Sequence, residues 1–226
     1  TTLSGGGIET VSSGGVTSAT RVLSGGTISA VSGGVASAAI VFTGGTETVL
    51  SGGRVVGTIL SGGSATVSSG GVGSGVTIRS GGVETVLSGA TDSAGVISNG
   101  GQQIVSGTAI GTQIQSGGVQ IAIGAASLVS GTVINSGGRL VASNFFALSN
   151  PILGLSGFID LPSLTFVSSG SATFTSGILR AGQGLASDSF ALGGSYGTDA
   201  FIMLPDGAGG TLVERVVCYA EGTAIR

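Results

Sequence analysis

A Ser-Gly-Gly tripeptide recurs along the first 138 residues of this 226-residue chain, and its spacing constrains the fold more than any other feature. If the near-copies Thr43-Gly44-Gly45 and Asn99-Gly100-Gly101 are included, every second copy keeps a constant phase. These copies begin at positions 4, 24, 43, 61, 80, 99, 116 and 136, in steps of 17 to 20 residues. A period near 19 residues with turn residues in fixed phase is typical of a solenoid, whose coils stack on their neighbours.

The composition favours a folded chain with neither a nucleic-acid partner nor a membrane span. Hydrophobic residues make up 41% of the chain and charged residues only 8%, whereas disordered chains combine low hydrophobicity with high charge. The 47 Gly residues do not follow a three-residue period, which excludes collagen. The net charge of −3 without a basic cluster argues against nucleic-acid binding. No apolar run approaches the length of a membrane-spanning segment.

Each repeat is predicted to contain two strands and two Gly-rich corners. The shorter arm is exemplified by residues 46–50 and the longer arm by residues 54–60, both rich in Val, Ile and Thr and both followed by Ser-Gly-Gly. The Gly pair permits positive φ at each corner without a Cβ penalty. The sequence therefore predicts an all-β fold: a parallel β-helix, or β-solenoid, of about 19 residues per coil.

Apolar residues recur at fixed distances before the corners and are predicted to form ladders in the stacked coils. The residue two before each long-arm corner is β-branched in seven coils: Val22, Val41, Ile59, Ile78, Ile97, Ile114 and Ile134. The equivalent short-arm residues are Val11, Ala30, Val49, Val67, Val86 and Ile104. Ser, Thr, Gln or Arg occupy the alternate positions, so we expect one face of each strand to be buried and the other solvated.

Carboxylates occur on alternate coils. The residue four before the short-arm corner is Glu9, Ile28, Glu47, Ala65, Glu84, Gln102 and then Gln120. Two strand spacings place successive carboxylates roughly 9–10 Å apart, about one Debye length at physiological salt. Like charges directly opposed on adjacent strands would be destabilising. We interpret this spacing as support for stacking, with a chance arrangement of three Glu residues as the alternative.

The composition changes after Arg139, where the repeat fades. All three Pro residues and seven of the eight Phe residues follow this point. We therefore divide the chain into a Ser-Gly-Gly β-solenoid over 1–138, aromatic-rich terminal β coils or a cap over 139–217, and a separate C-terminal segment over 218–226. The middle segment either caps the narrow rod or begins a small β-sandwich.

Few residues of this chain are suited to catalysis or cofactor binding. Catalysis at neutral pH usually recruits His, Lys or paired carboxylates, and the chain contains neither His nor Lys. The stretch 193–199 is weakly similar to a calcium-binding nonapeptide repeat, but it occurs once, and a plain turn is the alternative interpretation. We expect no enzyme activity apart from self-processing in a longer precursor, and no cofactor or metal.

The C-terminal segment contains one short sequence motif, formed by Cys218, Tyr219, Gly222, Thr223 and Ile225. These residues resemble the first strand of bacterial Hint (hedgehog/intein-type) domains, Cys-Phe-x-x-Gly-Thr-x-Ile. The resemblance implies that Cys218 performs an N-to-S acyl shift on the Val217–Cys218 bond. That reaction also needs a Thr-x-x-His block, which this sequence lacks. An ordinary buried Cys in a last strand is the alternative.

The repeats of residues 1–138 resemble the Ser-Gly-Gly repeats of AIDA-type autotransporter adhesin passengers, and in some bacterial surface proteins such repeats precede a Hint domain. The resemblance covers about residues 1–138 and 206–226. It implies export to the cell surface or the extracellular space, a parallel β-solenoid, and a role in adhesion or in a matrix. Some adhesins of this type carry sugars on Ser and Thr.

Three functions remain open at this point. The first is a structural β-solenoid that self-associates head to tail into a fibre or extracellular matrix, because open rod ends and polar ladders can template stacking. The second is an adhesin that binds a host or polysaccharide surface, although Phe42 is the only aromatic residue before Phe145. The third is a precursor that is processed at Cys218.

Overall fold

The protein is described by a computed structural model that covers residues 1–143, 147–183, 186–197, 199–218 and 224–225, in which the chain forms 32 β-strands. The first four coils contain three strands each: β1 (Thr2–Leu3), β2 (Ile8–Val11), β3 (Val16–Ser18), β4 (Arg21–Val22), β5 (Thr27–Ala30), β6 (Val35–Ser37), β7 (Ile40–Phe42), β8 (Thr46–Val49), β9 (Arg54–Val56), β10 (Ile59–Ser61), β11 (Ser64–Val67) and β12 (Val72–Ser74).

The next four coils repeat this arrangement, and a ninth, partial coil follows them. Their strands are β13 (Thr77–Ile78), β14 (Val83–Val86), β15 (Thr91–Ser93), β16 (Val96–Ile97), β17 (Gln102–Val105), β18 (Thr108–Ile110), β19 (Gln113–Ile114), β20 (Val119–Ala122), β21 (Leu128–Ser130), β22 (Val133–Ile134), β23 (Arg139–Ala142), β24 (Leu148–Ser149), β25 (Ile152–Leu153) and β26 (Phe158–Leu161).

Three parallel sheets enclose one core. The first strand of every coil joins sheet A, from β1 to β25; the second joins sheet B, from β2 to β26; and the third joins sheet C, from β3 to β24. Each strand from β1 to β23 therefore pairs in parallel with the strand three positions later in the chain. The predicted parallel β-solenoid is confirmed, but the prediction of two strands per coil is wrong, because each long arm bends into two.

The additional bend lies between sheet C and sheet A and uses one residue with positive φ. Ala19, Ala38 and Ala94 adopt φ values of 51° to 55° there, and Gly57 and Gly75 adopt 65°. A positive φ is uncommon for a residue with a Cβ. Because this bend uses Ala in some coils and Gly in others, the sequence gives no corner signal there comparable to Ser-Gly-Gly. The neighbouring coils hold each bend in place, since the Ala38 N–H donates to the Val56 carbonyl of the next coil at 2.8 Å.

The predicted apolar ladders form, with two register corrections. Leu60, not Ile59, occupies the sheet A ladder between Val41 and Ile78. Val105, not Ile104, pairs with Val86 in sheet B. Both coils have shorter corners than their neighbours: three residues separate Leu60 from Ser64, and two separate Val105 from Thr108. Counting back from Ser-Gly-Gly therefore misplaces the strand end by one residue, which changes the face to which a side chain points.

The two glycines of a corner meet different requirements, as the corner at Gly117 and Gly118 shows. Gly117 has φ +71°, in the left-handed region. Gly118 is buried, and a Cβ there would lie 2.5 Å from the Ile97 carbonyl oxygen of the preceding coil. The first glycine thus makes the turn and the second allows two coils to approach.

The solenoid ends in an antiparallel extension of sheet B. β26 pairs with β31, and the order then continues through β30, β27, β28 and β29. Parallel coils therefore continue through residue 161, inside the segment expected to hold terminal coils or a cap. The strands of this extension are β27 (Ser171–Thr175), β28 (Ile178–Gln183), β29 (Ala186–Ala191), β30 (Ala200–Pro205), β31 (Thr211–Cys218) and β32 (Ala224–Ile225).

Candidate functional site

The solenoid core contains a column of polar side chains, which we call the inner polar column. It is defined by Glu9, Glu47, Glu84, Asp92, Gln103 and Gln120 with neighbouring Thr residues. Glu47, Glu84 and Asp92 are 0% exposed. These carboxyl groups lie inside the rod, so the expectation that they are charges screened by water and salt is wrong.

A signal for inward carboxylates was present in the sequence. Glu47 stands two residues before the ladder residue Val49, and Glu84 stands two before Val86. Residues two apart in a strand point to the same face, so the carboxylates share the buried face of the Val residues. The predicted ladder also needs one correction: Gln103, not Gln102, pairs with Glu84, for the register reason given above for Val105.

The carboxylates nearest the N-terminus accept hydrogen bonds from threonines. Glu9 accepts from Thr17 Oγ1 at 2.7 Å and from Thr20 Oγ1 at 2.9 Å, so both of its oxygens are engaged. Glu47 Oε1 accepts a longer bond from Thr58 at 3.3 Å, and Glu47 Oε2 has no partner among the described residues. Ile28 and Ala65 occupy this inner position on the coils between the carboxylates.

The central part of the inner polar column is a connected hydrogen-bond network. Gln103 Nε2 donates to Glu84 Oε2 at 2.8 Å and to Asp92 Oδ2 at 2.9 Å. Gln103 Oε1 accepts from Gln120 Nε2 at 2.6 Å, and Gln120 Oε1 accepts from Thr132 at 3.0 Å. The donors of this network point toward the two carboxyl groups, whose remaining oxygens, Glu84 Oε1 and Asp92 Oδ1, lack partners among the described residues.

Burial favours the protonated form of these carboxyl groups. Burial raises the pKa of Glu47 to about 7, against the opposing effect of the Thr58 hydrogen bond. Burial also raises the pKa of Asp92 to about 6, and the hydrogen bond from Gln103 and the interaction with the Ser93 backbone oppose this change. For Glu84, burial and then the adjacent Asp92 charge raise the pKa well above its ordinary value.

The inward carboxylates leave the outside of the solenoid with positive formal charges only. The acidic residues of 1–138 are Glu9, Glu47, Glu84 and Asp92, which all occupy inner positions. The basic residues of the same range, Arg21, Arg54 and Arg79, are all exposed. The outer surface of residues 1–138 therefore carries few charges, and these are positive, whereas the net charge of the whole sequence is −3.

Exposed hydroxyl groups line the corners between the sheets. Ser32, Ser51 and Ser69 are exposed and stand one coil apart at the corner between sheets B and C. The hydroxyl of each serine lies beside the first glycine of the equivalent corner one coil later. A Cβ at Gly70, for example, would lie 2.6 Å from Ser51 Oγ. The repeat thus builds a regular row of accessible serines along an edge of the rod.

The C-terminal end of sheet A is covered by Tyr196 and Arg215. The Leu153 N–H donates to Tyr196 Oη at 2.9 Å, and Arg215 Nη1 donates to the Leu153 carbonyl at 3.1 Å. Tyr196 packs edge-on against Phe174 and Phe201, with ring centroids 4.9 and 5.3 Å away. Backbone groups that another coil would pair are thus satisfied by side chains of the antiparallel segment.

The suggested calcium motif instead contributes to this end structure. Asp199 forms an ion pair with Arg215, so its carboxylate already has a protein partner. Asp206, which lies outside the stretch 193–199, accepts hydrogen bonds from the Ala208 and Gly210 N–H groups of its own loop. Among the residues that the structure describes, no group of three or more His, Cys, Asp or Glu is arranged to hold a metal ion.

Cys218 ends β31, and its backbone pairs with Ala224 of β32. The other positions that carry the Hint resemblance, except Ile225, lie outside the described residues, as do residues 219–223 and 226 in general. The role of Cys218 as a nucleophile therefore stays a prediction. In the part of the chain that is described, no helix is long and apolar enough to cross a membrane.

Comparison with known proteins supports the fold. No family model and no curated protein matches the chain. Among solved structures, the chain is similar to the crystal structure of the TibC-catalysed hyper-glycosylated TibA55-350 fragment, with a TM-score of 0.64 and 32% sequence identity. The match covers 69% of this chain and 59% of the fragment, so the chain spans little more than half of its length.

Proposed function

We propose that the chain is an extracellular or cell-surface structural β-solenoid of the adhesin type, which acts by association between copies of its rod. The observation that carries this proposal is the outer surface of the coils, formed by hydroxyl and β-branched ladders with few charges. Flat β-surfaces of this composition associate readily because little electrostatic repulsion opposes contact. The similarity to TibA and the resemblance to AIDA-type repeats support the surface location.

The outer face of sheet B offers a specific contact area. One outer column runs Thr48, Thr66 and Thr85 on successive coils and then becomes apolar at Ile104, Ile121 and Val141. Side-by-side contact through this apolar part requires no rearrangement of the fold. Head-to-tail stacking at the C-terminal end would have to displace the cover formed by Tyr196 and Arg215.

Assembly of the full chain tests the proposal. Negative-stain microscopy and sedimentation over rising concentration should show filaments or sheets of laterally associated rods. Ile121→Arg should weaken association, because it places a charge in the apolar part of the column. Thr48→Arg, at the same register position in the hydroxyl part, is the matched control and should assemble like the original chain. Monodisperse particles at high concentration would refute the proposal.

A second candidate is an adhesin whose exposed serines carry sugars or contact polysaccharide. The exposed row at Ser32, Ser51 and Ser69 supports this candidate, and the similar TibA fragment is hyper-glycosylated in its crystal structure. Glycopeptide mass spectrometry of the chain from its native source should find sugars on these serines. A glycan array with the full chain tests direct binding, and absence of both signals would exclude this candidate.

The third candidate is self-processing at the Val217–Cys218 bond in a longer precursor. Only the sequence resemblance supports it. Mass spectrometry of a precursor and its Cys218→Ala variant decides the question, because cleavage that persists without the thiol excludes Cys218 as the nucleophile.

A further inference from the structure

Glu84 and Asp92 form a carboxyl pair in the middle of the solenoid. They lie on β14 of sheet B and β15 of sheet C, and both side chains are completely buried. Each accepts a hydrogen bond shorter than 3 Å from the same nitrogen, Gln103 Nε2. The two carboxyl groups are therefore close neighbours in a space that excludes water.

The hydrogen bonds around this pair are insufficient for two negative charges. Gln103 uses both of its amide hydrogens, one on each carboxyl group, and its oxygen accepts from Gln120. Glu84 Oε1 and Asp92 Oδ1 are buried without a partner among the described residues. Two ionised carboxylates that share one site repel each other, and burial without a partner strongly disfavours the charged form.

The surrounding strands supply no compensating cation. In sheet B, the inner neighbours of Glu84 are Ala65 on β11 and Gln103 on β17. In sheet C, the inner neighbours of Asp92 are Gly73 on β12 and Ala109 on β18.

The remaining wall of the core is apolar. Sheet A presents Ile78 and Ile97 at this height, and Val76 lies beside them, all 0% exposed. Among the residues that the structure describes, the one further titratable group that acts on the pair is Glu47, whose charge disfavours ionisation of Glu84. Among the described residues of 1–138, the three Arg residues are all exposed and face solvent.

We propose that the Glu84–Asp92 pair holds a proton in the folded solenoid, and that loss of this proton to solvent loosens the coils from β11 to β18. The proton lies on one of the two carboxyl groups. The pair is thus a pH-sensitive device in the middle of the rod. It keeps the coils closed in acid and permits them to open in base.

The sign of the effect follows from proton linkage. Burial raises the pKa of Asp92 to about 6 and that of Glu84 well above its ordinary value, while both groups titrate near 4 in the unfolded chain. The folded coils bind more protons than the opened coils above about pH 4, so stability falls as pH rises through 6 and beyond. Each additional bound proton changes the opening equilibrium by about tenfold per pH unit.

Hydrogen–deuterium exchange of the full chain tests the proposal, with correction for intrinsic exchange rates. Between about pH 5 and about pH 8, protection at Val86 and Val105 should fall at least tenfold more than protection at Leu140 in a later apolar coil. Glu84→Gln should reduce this excess loss of protection in the middle coils at least tenfold, because a neutral amide replaces a titrating carboxyl group. Glu9→Gln is the matched control and should leave the excess unchanged, since Thr17 and Thr20 bind both Glu9 oxygens.

Infrared spectroscopy of the original chain gives a test that does not depend on whether a variant folds. At about pH 6, above the ordinary titration of Glu and Asp, a carbonyl band of protonated carboxyl groups should persist. Its integrated intensity should exceed that of one carboxyl group, because Glu47, whose pKa burial raises to about 7, accounts for one and the Glu84–Asp92 pair adds its own. The band should weaken in Glu84→Gln, or in Asp92→Asn if the first variant does not fold. A band no larger than that of one carboxyl group, or equal pH dependence of protection in the middle coils and at Leu140, would overturn the proposal.

Discussion

Replacing Gly118 by alanine tests why the second glycine of a Ser-Gly-Gly corner is needed. The Cβ of this alanine would lie 2.5 Å from the Ile97 carbonyl oxygen and 3.0 Å from its carbonyl carbon. Carbon and oxygen atoms in close contact normally lie about 3.3 Å apart or more. The same carbonyl accepts the ladder hydrogen bond from the Gln115 N–H at 2.8 Å, so relief of the contact lengthens this bond.

The expected cost can be derived from this geometry. A lost ladder bond and a buried carbonyl without a partner together cost about 2–4 kcal/mol. The less flexible unfolded chain of the alanine variant offsets about 0.4–1 kcal/mol of this. We expect a net loss of about 2–3 kcal/mol, which lowers the melting temperature of a chain of this size by roughly 4–12 °C.

Thermal unfolding monitored by circular dichroism measures this loss, with Gly57→Ala as the matched control. Gly57 has φ +65°, a Cβ there would contact nothing within 4 Å, and Ala38 and Ala94 occupy the equivalent position in nearby coils. The control should therefore lose only about 1–2 kcal/mol, the strain of an alanine with positive φ, and less than Gly118→Ala. Equal melting temperatures of the two variants would refute the steric explanation of the second glycine.

Three further predictions concern the core, the inner polar column and the C-terminal cover. Ile97→Ala should cost about 2–5 kcal/mol in urea unfolding, because Ile97 is 0% exposed within the sheet A ladder. Glu47→Gln should stabilise the rod above pH 7 relative to the original chain and remove up to about 3 kcal/mol of its pH dependence, because burial raises the pKa of Glu47 to about 7. Tyr196→Phe should speed amide exchange at Leu153 about tenfold or more, because the hydroxyl accepts the Leu153 N–H.

Each of these predictions has its own contradicting outcome. Ile97→Val should cost only about 0.5–1.5 kcal/mol, so equal losses for the Ala and Val variants would argue against close packing. Parallel stability profiles of Glu47→Gln and the original chain between about pH 4 and about pH 8 would show that Glu47 ionises freely in the fold. Unchanged exchange at Leu153 in Tyr196→Phe would mean that the tyrosine hydroxyl does not cover the end of sheet A.

Much of the solenoid was predictable because its corners carry a strong local signal. Ser-Gly-Gly requires no knowledge of the rest of the chain, since its first glycine needs positive φ wherever it occurs. The corner at Ala38 was missed because alanine normally avoids the φ of 51° that it adopts there. The shifts from Ile59 to Leu60 and from Ile104 to Val105 were missed because corner length varies between coils, and only inter-strand hydrogen bonds reveal it.

The candidate site was less predictable than the fold. The positions of Glu47 and Glu84 two residues before buried Val residues indicated an inward direction, but a charged side chain is ordinarily solvated. The approach of Asp92 to Glu84 combines strands of two different sheets, which the period of a single strand does not determine. The covering of Leu153 by Tyr196 joins residues 43 positions apart, and no repeat links them.

The sequence by itself determined that this chain is a β-solenoid of about 19 residues per coil, because turn residues and β-branched ladders are local and periodic signals. Only the tertiary structure decided that a coil has three sides, that the carboxyl groups of residues 1–138 occupy inner positions, and that an antiparallel segment covers the end of sheet A. The physical reason is that these features depend on contacts between coils and between sheets. The same contacts set the pKa values of the inner polar column and leave the outside of the rod with few charges.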